Sequence, residues 1–246
     1  MEAVRGGALM SERKEPILVV NNLKKYFRTK KGLLHAVDDV SFTIDEGRTL
    51  GVVGESGCGK STLGKTIMRL TEPTGGEVFL QGEDIVSMNE GRLRKARLKM
   101  QMIFQDPYSS IDPRMSLAQI ISDPLKVNRL CSSKNEIDER VDRMMRIVGL
   151  APRLRESYPH ELDGGRRQRI GIARALVLDP KFIICDEPVS ALDVSIQAQI
   201  INILMDLKEE KGLTYIFITH DLSVVKHISD EIAVMYLGQC VEKAPS

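Results

Sequence analysis

The chain has 246 residues, 42% of them apolar and 28% charged, with 35 basic side chains against 34 acidic ones for a net charge of +1. That balance excludes a disordered or fibrous chain and suits one large domain or two small ones, and it excludes bulk electrostatic capture of nucleic acid or of an anionic membrane surface. Apolar runs fall short of the roughly 18 residues a membrane span needs, and the opening MEAVRGGALMSERKEP lacks the apolar core of a signal peptide, so the expectation is a soluble, cytoplasmic chain able to dock on a membrane protein.

Residues 1–16 read as a mobile lead-in, with Met10 a candidate native start. Ile17–Val20 is a short apolar strand. Val40, Phe42 and Ile44 alternate with polar residues, as a half-buried strand does, and Asp45-Glu46-Gly47 reads as a turn. Leu50–Val53 is a buried strand, Ser61–Leu70 a helix and Val78–Leu80 another strand. Met100, Met102 and Phe104 alternate up to Gln105. The run DPYSSIDPR, with two Asp-Pro pairs, is loop. Residues from about 114 to 178 read as mostly helical. Within them Ser133 and Glu136 suggest a capping box, Ile137, Val141, Met144, Met145 and Val148 follow at helical spacing, and Gly149 is a natural stop. Phe182–Cys185 and Tyr215–Thr219 read as buried parallel strands. The order implies an α/β core interrupted by a helical insertion. The four cysteines, Cys58, Cys131, Cys185 and Cys240, form no C-x-x-C pair, so free thiols are expected and neither a zinc site nor a redox motif is indicated.

Gly54-Glu55-Ser56-Gly57-Cys58-Gly59-Lys60-Ser61 fits G-x-x-x-x-G-K-[ST] between a strand and a helix. Glycines let the backbone curl so that several N–H groups converge on phosphate oxygens. The helix opening near Lys60 aims its positive dipole end at the same point. In this reading Lys60 reaches the β- and γ-phosphates, the Ser61 hydroxyl ligates Mg²⁺, and Thr62 helps hold the α-phosphate. Cys58 has no chemical role in the loop, although alkylation at that position is conceivable.

Phe182–Cys185 ends in Asp186 and Glu187. Acidic residues at a strand end are commonly only solvated, but a phosphate loop changes their meaning. Mg²⁺ needs a carboxylate, often through water, which Asp186 supplies. Hydrolysis needs a general base for the attacking water, for which Glu187 is the candidate. His220 follows the strand Tyr215–Thr219 and is placed to donate to the γ-phosphate. Gln105 ends a strand and is placed to meet Mg²⁺ or the attacking water.

The ordered set GESGCGKST, FQDP, ELDGGRRQRIGIARAL, IICDEP, SALD and ITHD resembles the nucleotide-binding subunit of an ATP-binding cassette (ABC) transporter, over Ile17 to Ala244. The segments FQDPYSSIDPRM, YPHELDGGRRQR and DEPVSALDVSIQAQI resemble the oligopeptide and dipeptide importer branch, with nickel importers as an alternative substrate class. The resemblance implies a P-loop NTPase fold over 17–246, with a mainly parallel core sheet, an antiparallel β subdomain and a helical subdomain of about 106–178. It implies an ATPase using ATP and Mg²⁺. Partners would be membrane-spanning permease subunits, a second cassette packed head to tail, and, indirectly, an extracytoplasmic substrate-binding protein. The site would be peripheral, on the cytoplasmic face of the membrane. By position Tyr26 would stack on adenine, Gln105 would couple nucleotide to the permease, and Asp193 would lie where two cassettes meet. His220 would sense the γ-phosphate, and Tyr108 and Ile111 would pack against a permease helix. Residues 162–166 would bind the other subunit's ATP. Non-transport ABC ATPases and a non-hydrolytic regulatory clamp are the rival readings. The first usually carry long coiled-coil insertions or tandem cassettes, and the second does not need Lys60, Asp186, Glu187 and His220 together.

Two departures stand out. The usual signature, Leu-Ser-Gly-Gly-Gln, is here Leu162-Asp163-Gly164-Gly165-Arg166. A Ser hydroxyl donates to phosphate, whereas an ionised Asp only accepts. Asp163 is nevertheless a good helix N-cap, so the expectation is a signature that works through backbone N–H groups with Arg166 or Arg167 supplying charge. Importers of this branch also usually continue past the position of Ser246, which suggests a truncated or short variant.

Overall fold

A computed structural model describes residues 16–106 and 111–246; the expectations for the lead-in before Pro16, for Met10 and for Tyr108 lie outside the described residues. The chain begins with β1 (Pro16–Thr29) and β2 (Gly32–Asp45), paired antiparallel. β1 also pairs with β4 (Gly75–Leu80), which pairs with β5 (Glu83–Asp84), giving the order β2-β1-β4-β5. Val40, Phe42 and Ile44 turn inward as their alternation predicts. β1 runs well past the expected Ile17–Val20, because register shifts between Val20 and Tyr26 break the two-residue period that would mark its outer half.

The second sheet has the order β10-β9-β3-β8-β7-β6. β3 (Thr49–Val53), β6 (Met100–Ile103), β7 (Phe182–Asp186), β8 (Thr214–Ile218) and β9 (Glu231–Tyr236) are mutually parallel where they pair, and β10 (Gln239–Pro245) closes the edge antiparallel. The strands β3, β7 and β8 are buried along their whole length. Their continuous apolar runs are what a strand covered on both faces requires. Alternate residues feed two cores. Phe182, Ile184, Ile216 and Ile218 join the antiparallel sheet, α1 (Lys60–Ile67) and α2 (Glu90–Lys99). Ile183, Cys185, Tyr215 and Phe217 join the helices on the opposite face.

Those helices are α3 (Leu117–Val127), α4 (Lys134–Ile147), α5 (Gly164–Leu176), α6 (Val194–Lys211) and α7 (Leu222–Ile228). The first three fill the chain between β6 and β7, with two 3₁₀ turns at Pro152–Leu154 and Pro159–Glu161. The box expected at α4 is closed differently: Ser133 Oγ accepts from Glu136 N–H, but the Glu136 carboxylate accepts from Ser132 N–H, one residue upstream. A complete box instead opens α3, between Ser116 and Gln119. Ile111, expected at a permease contact, is buried in the core beneath the helices, where an apolar side chain gains more than on a surface. Among the described residues no helix is long and apolar enough to cross a membrane.

Because β3, β6, β7 and β8 are parallel, their carboxyl ends share one edge. The segments leaving that edge carry Gly54–Lys60, Gln105, Glu187 and His220. Ligands of open parallel sheets bind at such an edge.

Candidate active site

The loop between β3 and α1 is built on glycines that admit no substitute. Gly54 has φ +151° and Gly59 φ +109°. A Cβ on Gly54 would come within 2.2 Å of Met235 O, and one on Gly59 within 2.0 Å of Ala36 O. Both obstacles are backbone, so neither side chain movement nor rotation relieves them. Gly59 is the residue preceding α1 and offers no side-chain cap, which leaves the first N–H groups of the helix for a ligand. Lys60 is only 5% exposed, and its ammonium donates to Gly54 O at 2.8 Å and Glu55 O at 2.9 Å. The cation is thus held on the loop it serves. Cys58 is buried, with Sγ 3.9 Å from Lys60 Nζ, which removes it from easy alkylation.

Ser61 Oγ donates to Asp186 Oδ1 at 2.6 Å, joining the start of α1 to the end of β7. Asp186 is 3% exposed. Burial pushes its carboxyl above the ordinary carboxylate range; the Ser61 bond and the Lys65 and Lys60 charges pull the other way, and the Glu187 charge adds to the rise. These oxygens are of the hard kind that suits Mg²⁺, and Gln105, at the neighbouring strand end, lines the same cavity as Ser61. Among the described residues no three His, Cys, Asp or Glu side chains converge on a metal position. An ion at Ser61 and Asp186 would therefore draw its remaining ligands from phosphate and water, as Mg²⁺ habitually does.

Glu187 follows with φ +45°, its N–H donating to Ile218 O at 2.9 Å. Glu187 Oε2 accepts from Gln105 Nε2 at 2.9 Å and lies 3.6 Å from His220 Nδ1. Three residues that are 82 and 33 positions apart thereby meet at one carboxylate.

These groups line a cavity of about 640 Å³ together with Ser56–Thr62, Phe27, Leu34, His35, Ala36 and Leu237–Gly238. Gly54 and Glu55 contribute their carbonyls to Lys60, and Asp186 reaches the cavity through Ser61. Tyr26 does not line it. Its ring stacks on His35 at 3.9 Å and its hydroxyl donates to Asp38, while the next residue, Phe27, faces the cavity. Adjacent residues of a strand point to opposite faces, so the aromatic pair Tyr26-Phe27 is split between two environments.

The segment Asp163–Arg166 is not brought to this cavity. Asp163 caps α5, accepting from Arg166 N–H at 2.8 Å as its residue type predicts, and its other oxygen lies 3.5 Å from Arg166 Nε. Both side chains are about half-exposed. Arg167 is turned inward and donates to Leu162 O at 2.6 Å. Gly165 packs on Ile196 and Gly164 on Leu192. Asp193 opens α6 without a side-chain cap and, like Val194 beside it, is exposed.

The ABC transporter family model matches residues 37–190. The oligopeptide transport ATP-binding protein OppF of Bacillus subtilis (strain 168) is 55% identical over 237 residues, covering 94% of this chain and 76% of that protein. The dipeptide transport ATP-binding protein DppF of Escherichia coli (strain K12) is 51% identical over 235 residues, covering 93% and 70%. An ATP-binding cassette solved as a dimer in a post-hydrolysis state with ADP and Pi superposes with a TM-score of 0.84 at 28% identity, covering 93% of this chain and 98% of that one. With a glycine loop, a serine–aspartate pair and a Gln–Glu–His constellation on one strand edge, and relatives this close over nearly its full length, the chain belongs to the ABC transporter family.

Proposed function

We propose that this chain is the ATP-hydrolysing subunit that drives import of oligopeptides or dipeptides, working as a head-to-tail pair of cassettes against permease subunits on the cytoplasmic face of a membrane. The observation that carries this reading is the meeting of Lys60, Ser61, Gln105, Glu187 and His220 on one cavity at the carboxyl ends of parallel strands. Relatives named for oligopeptide and dipeptide transport support the cargo class.

In this reading the loop N–H groups and Lys60 hold the triphosphate, and Lys60 exchanges its carbonyl partners for phosphate oxygens, a charge-assisted replacement. Mg²⁺, held by Ser61, Asp186 and Gln105, neutralises phosphate charge when bound. Glu187 orients and deprotonates the attacking water, with Gln105 fixing its carboxylate and His220 meeting the γ-phosphate. Phe27 rather than Tyr26 offers the aromatic face to the base. The half-exposed Asp163 and Arg166, with the backbone of Gly164 and Gly165 beside them, complete the second subunit's site. A groove of about 360 Å³ between α2, α3 and α5, with Phe104 in its wall beside Gln105, is the surface for the permease. A segment seated there would register movement of Gln105 as nucleotide comes and goes. The substrate-binding protein acts through the permease.

The test is light scattering on Glu187→Gln, with and without Mg-ATP, alongside phosphate release. Turnover should fall by about 10²- to 10⁴-fold, the usual worth of a general base, while ATP binding persists and shifts monomer to dimer. Undiminished hydrolysis would remove Glu187 from the mechanism and the reading with it.

A further inference from the structure

The phosphate end of the cavity is explained by the glycine loop; its other end is walled by Phe27, Leu34 and His35 of the β1–β2 hairpin and by Leu237–Gly238 of the β9–β10 turn. That wall is the weak part of the sheet. β2 is an edge strand, the β1–β2 register shifts on both sides of Lys25, and Leu33 and Leu34 are exposed. Beyond the second shift the two strands ladder with each other, from Tyr26↔His35 and Phe27↔Leu34 to Thr29↔Gly32, while the pairing of β1 with β4 ends at Lys24, so the place of the hairpin against the cavity rests on contacts outside that ladder.

Asp38, on β2, gathers the contacts that do so. One carboxylate oxygen accepts from the Tyr26 hydroxyl. The other lies 3.4 Å from His35 Nδ1 and 3.5 Å from Gln239 Nε2. Its own N–H donates to Gly238 O at 2.8 Å. Tyr26 lies flat on His35, with centroids 3.9 Å apart and planes at 19°. The turn reached through Gly238 is in turn joined to the phosphate loop, because Gly238 N–H donates to Cys58 O at 2.9 Å. The backbones are in close contact as well: a Cβ on Gly238 would meet His35 O at 2.6 Å, and one on Gly59 would meet Ala36 O at 2.0 Å. Hairpin, turn and phosphate loop therefore share one junction, and Asp38 is the side chain at its centre.

We propose that Asp38 is a positioning residue for nucleotide binding: it presses Tyr26 onto His35, ties both to the β9–β10 turn, and so fixes the wall of Phe27, Leu34 and His35 against which the base packs. Tyr26 contributes by its hydroxyl to the clamp rather than by its ring to the base. The charge states suit the task. The Tyr26 hydroxyl, and then His35, hold the Asp38 carboxyl below its ordinary range, and the same bond raises the Tyr26 phenol, so an ionised acceptor faces a neutral donor at physiological pH. This inference rests on the reading that the cavity binds ATP.

The test is equilibrium binding of ATP, ADP and base-free tripolyphosphate to the full chain and to Asp38→Ala, Asp38→Asn, Tyr26→Phe and the Asp38→Ala/Tyr26→Phe double variant. Asp38→Ala and Tyr26→Phe should each weaken ATP and ADP about five- to tenfold, the worth of one partly exposed charge-assisted bond. The double variant should be no weaker than Asp38→Ala, because both remove the same bond. Asp38→Asn, which keeps an oxygen for the hydroxyl, should recover part of the loss. Tripolyphosphate binding should be unmoved, and in turnover KM should rise by more than kcat falls. Unchanged ATP affinity, a parallel loss of tripolyphosphate, or additive losses in the double variant would each overturn the clamp. If Asp38→Ala fails to fold, the milder Tyr26→Phe decides by the same comparison. A native chain that binds tripolyphosphate and ATP equally would count against base recognition and the clamp, whereas one that binds neither overturns the ATP reading beneath it.

Discussion

The phosphate loop and the segment Asp163–Arg166 are both glycine-bearing entries to a helix, yet they are built on opposite plans. At the loop the side chains that serve the site are satisfied from within, Lys60 by two carbonyls, Ser61 by Asp186 and Glu187 by Gln105, while the first N–H groups of α1 stay open to a ligand. The backbone is packed against backbone, at Ala36 and Met235. At the second entry Asp163 and Arg166 pair with each other, half in water, and the glycines rest on the side chains of Leu192 and Ile196. A preorganised site keeps its charges buried and paired before the ligand arrives. A surface that completes a site elsewhere keeps them exposed. The contrast fits the proposed head-to-tail pair of cassettes, in which each chain would bring one half-site of each kind.

The sharpest way to break this comparison is to add one methyl to each entry. Gly59→Ala must place a Cβ 2.0 Å from a carbonyl oxygen at φ +109°, so the loop must open. ATP affinity should fall by at least about 100-fold, equivalent to roughly 3 kcal/mol, with no second substitution restoring it. Gly165→Ala meets Ile196 Cγ2 at 2.5 Å, and should cost about 1–3 kcal/mol of stability by overpacking. Because that obstacle is a side chain, Gly165→Ala with Ile196→Ala should recover most of the loss in a thermal melt. Equal tolerance at both positions would dissolve the distinction between a backbone-built and a side-chain-built entry.

Asp186 sharpens the comparison by a smaller amount. Its carboxyl is raised by burial, so folding favours the neutral form. The cost of the charge is present above the ordinary carboxylate range and is relieved as pH falls through the raised value. Asp186→Asn should therefore stabilise the ligand-free chain by about 1 kcal/mol near neutral pH while phosphate release collapses. The stability gain should shrink as the melt is repeated at lower pH. A destabilised Asn variant would mean that the Ser61 bond outweighs burial, and that this edge is held together by the charge rather than strained by it.

The loop was legible because its chemistry is contiguous: eight residues carry the glycines, the lysine and the serine. The strands β3, β7 and β8 were legible because burial on two faces leaves no polar residue to interrupt the run, and Asp186 and Glu187 came with β7. Gln105 and His220 were legible from their places at strand ends, the family resemblance added finer expectations for both, and the structure brings both to Glu187. What stayed hidden depends on pairing rather than on composition. The outer half of β1 has no period because its register shifts, and that same irregularity decides which of Tyr26 and Phe27 faces the cavity. The β9–β10 turn that walls the site has no motif at all. Asp38 reads as an ordinary strand-edge acid until Tyr26, His35 and Gln239 are brought around it. The box at Ser116–Gln119 was visible as Ser-x-x-Gln and was missed, whereas the one expected at Ser133 closes on Ser132.

Asp163 gives the smallest effect and the finest discrimination. Its carboxylate serves α5 as a cap, and caps of Asp and Ser are nearly equivalent, so Asp163→Ser should change stability by less than about 0.5 kcal/mol. Asp163→Ala, which removes the acceptor, should cost about 1 kcal/mol. The two variants therefore separate capping from phosphate contact. If the second entry works through the α5 N–H groups and Arg166, Asp163→Ser should leave ATP turnover within about threefold, since the helix end it caps is unchanged. The Arg166–Asp163 pair is half-exposed and already loosely held at 3.5 Å, so freeing the guanidinium adds little. A tenfold rise in turnover would show that the native acid repels the phosphate it faces. The exposed entry would then be not merely open but held below its capacity, in contrast to the phosphate loop, where Lys60, Ser61 and Glu187 are already matched to partners.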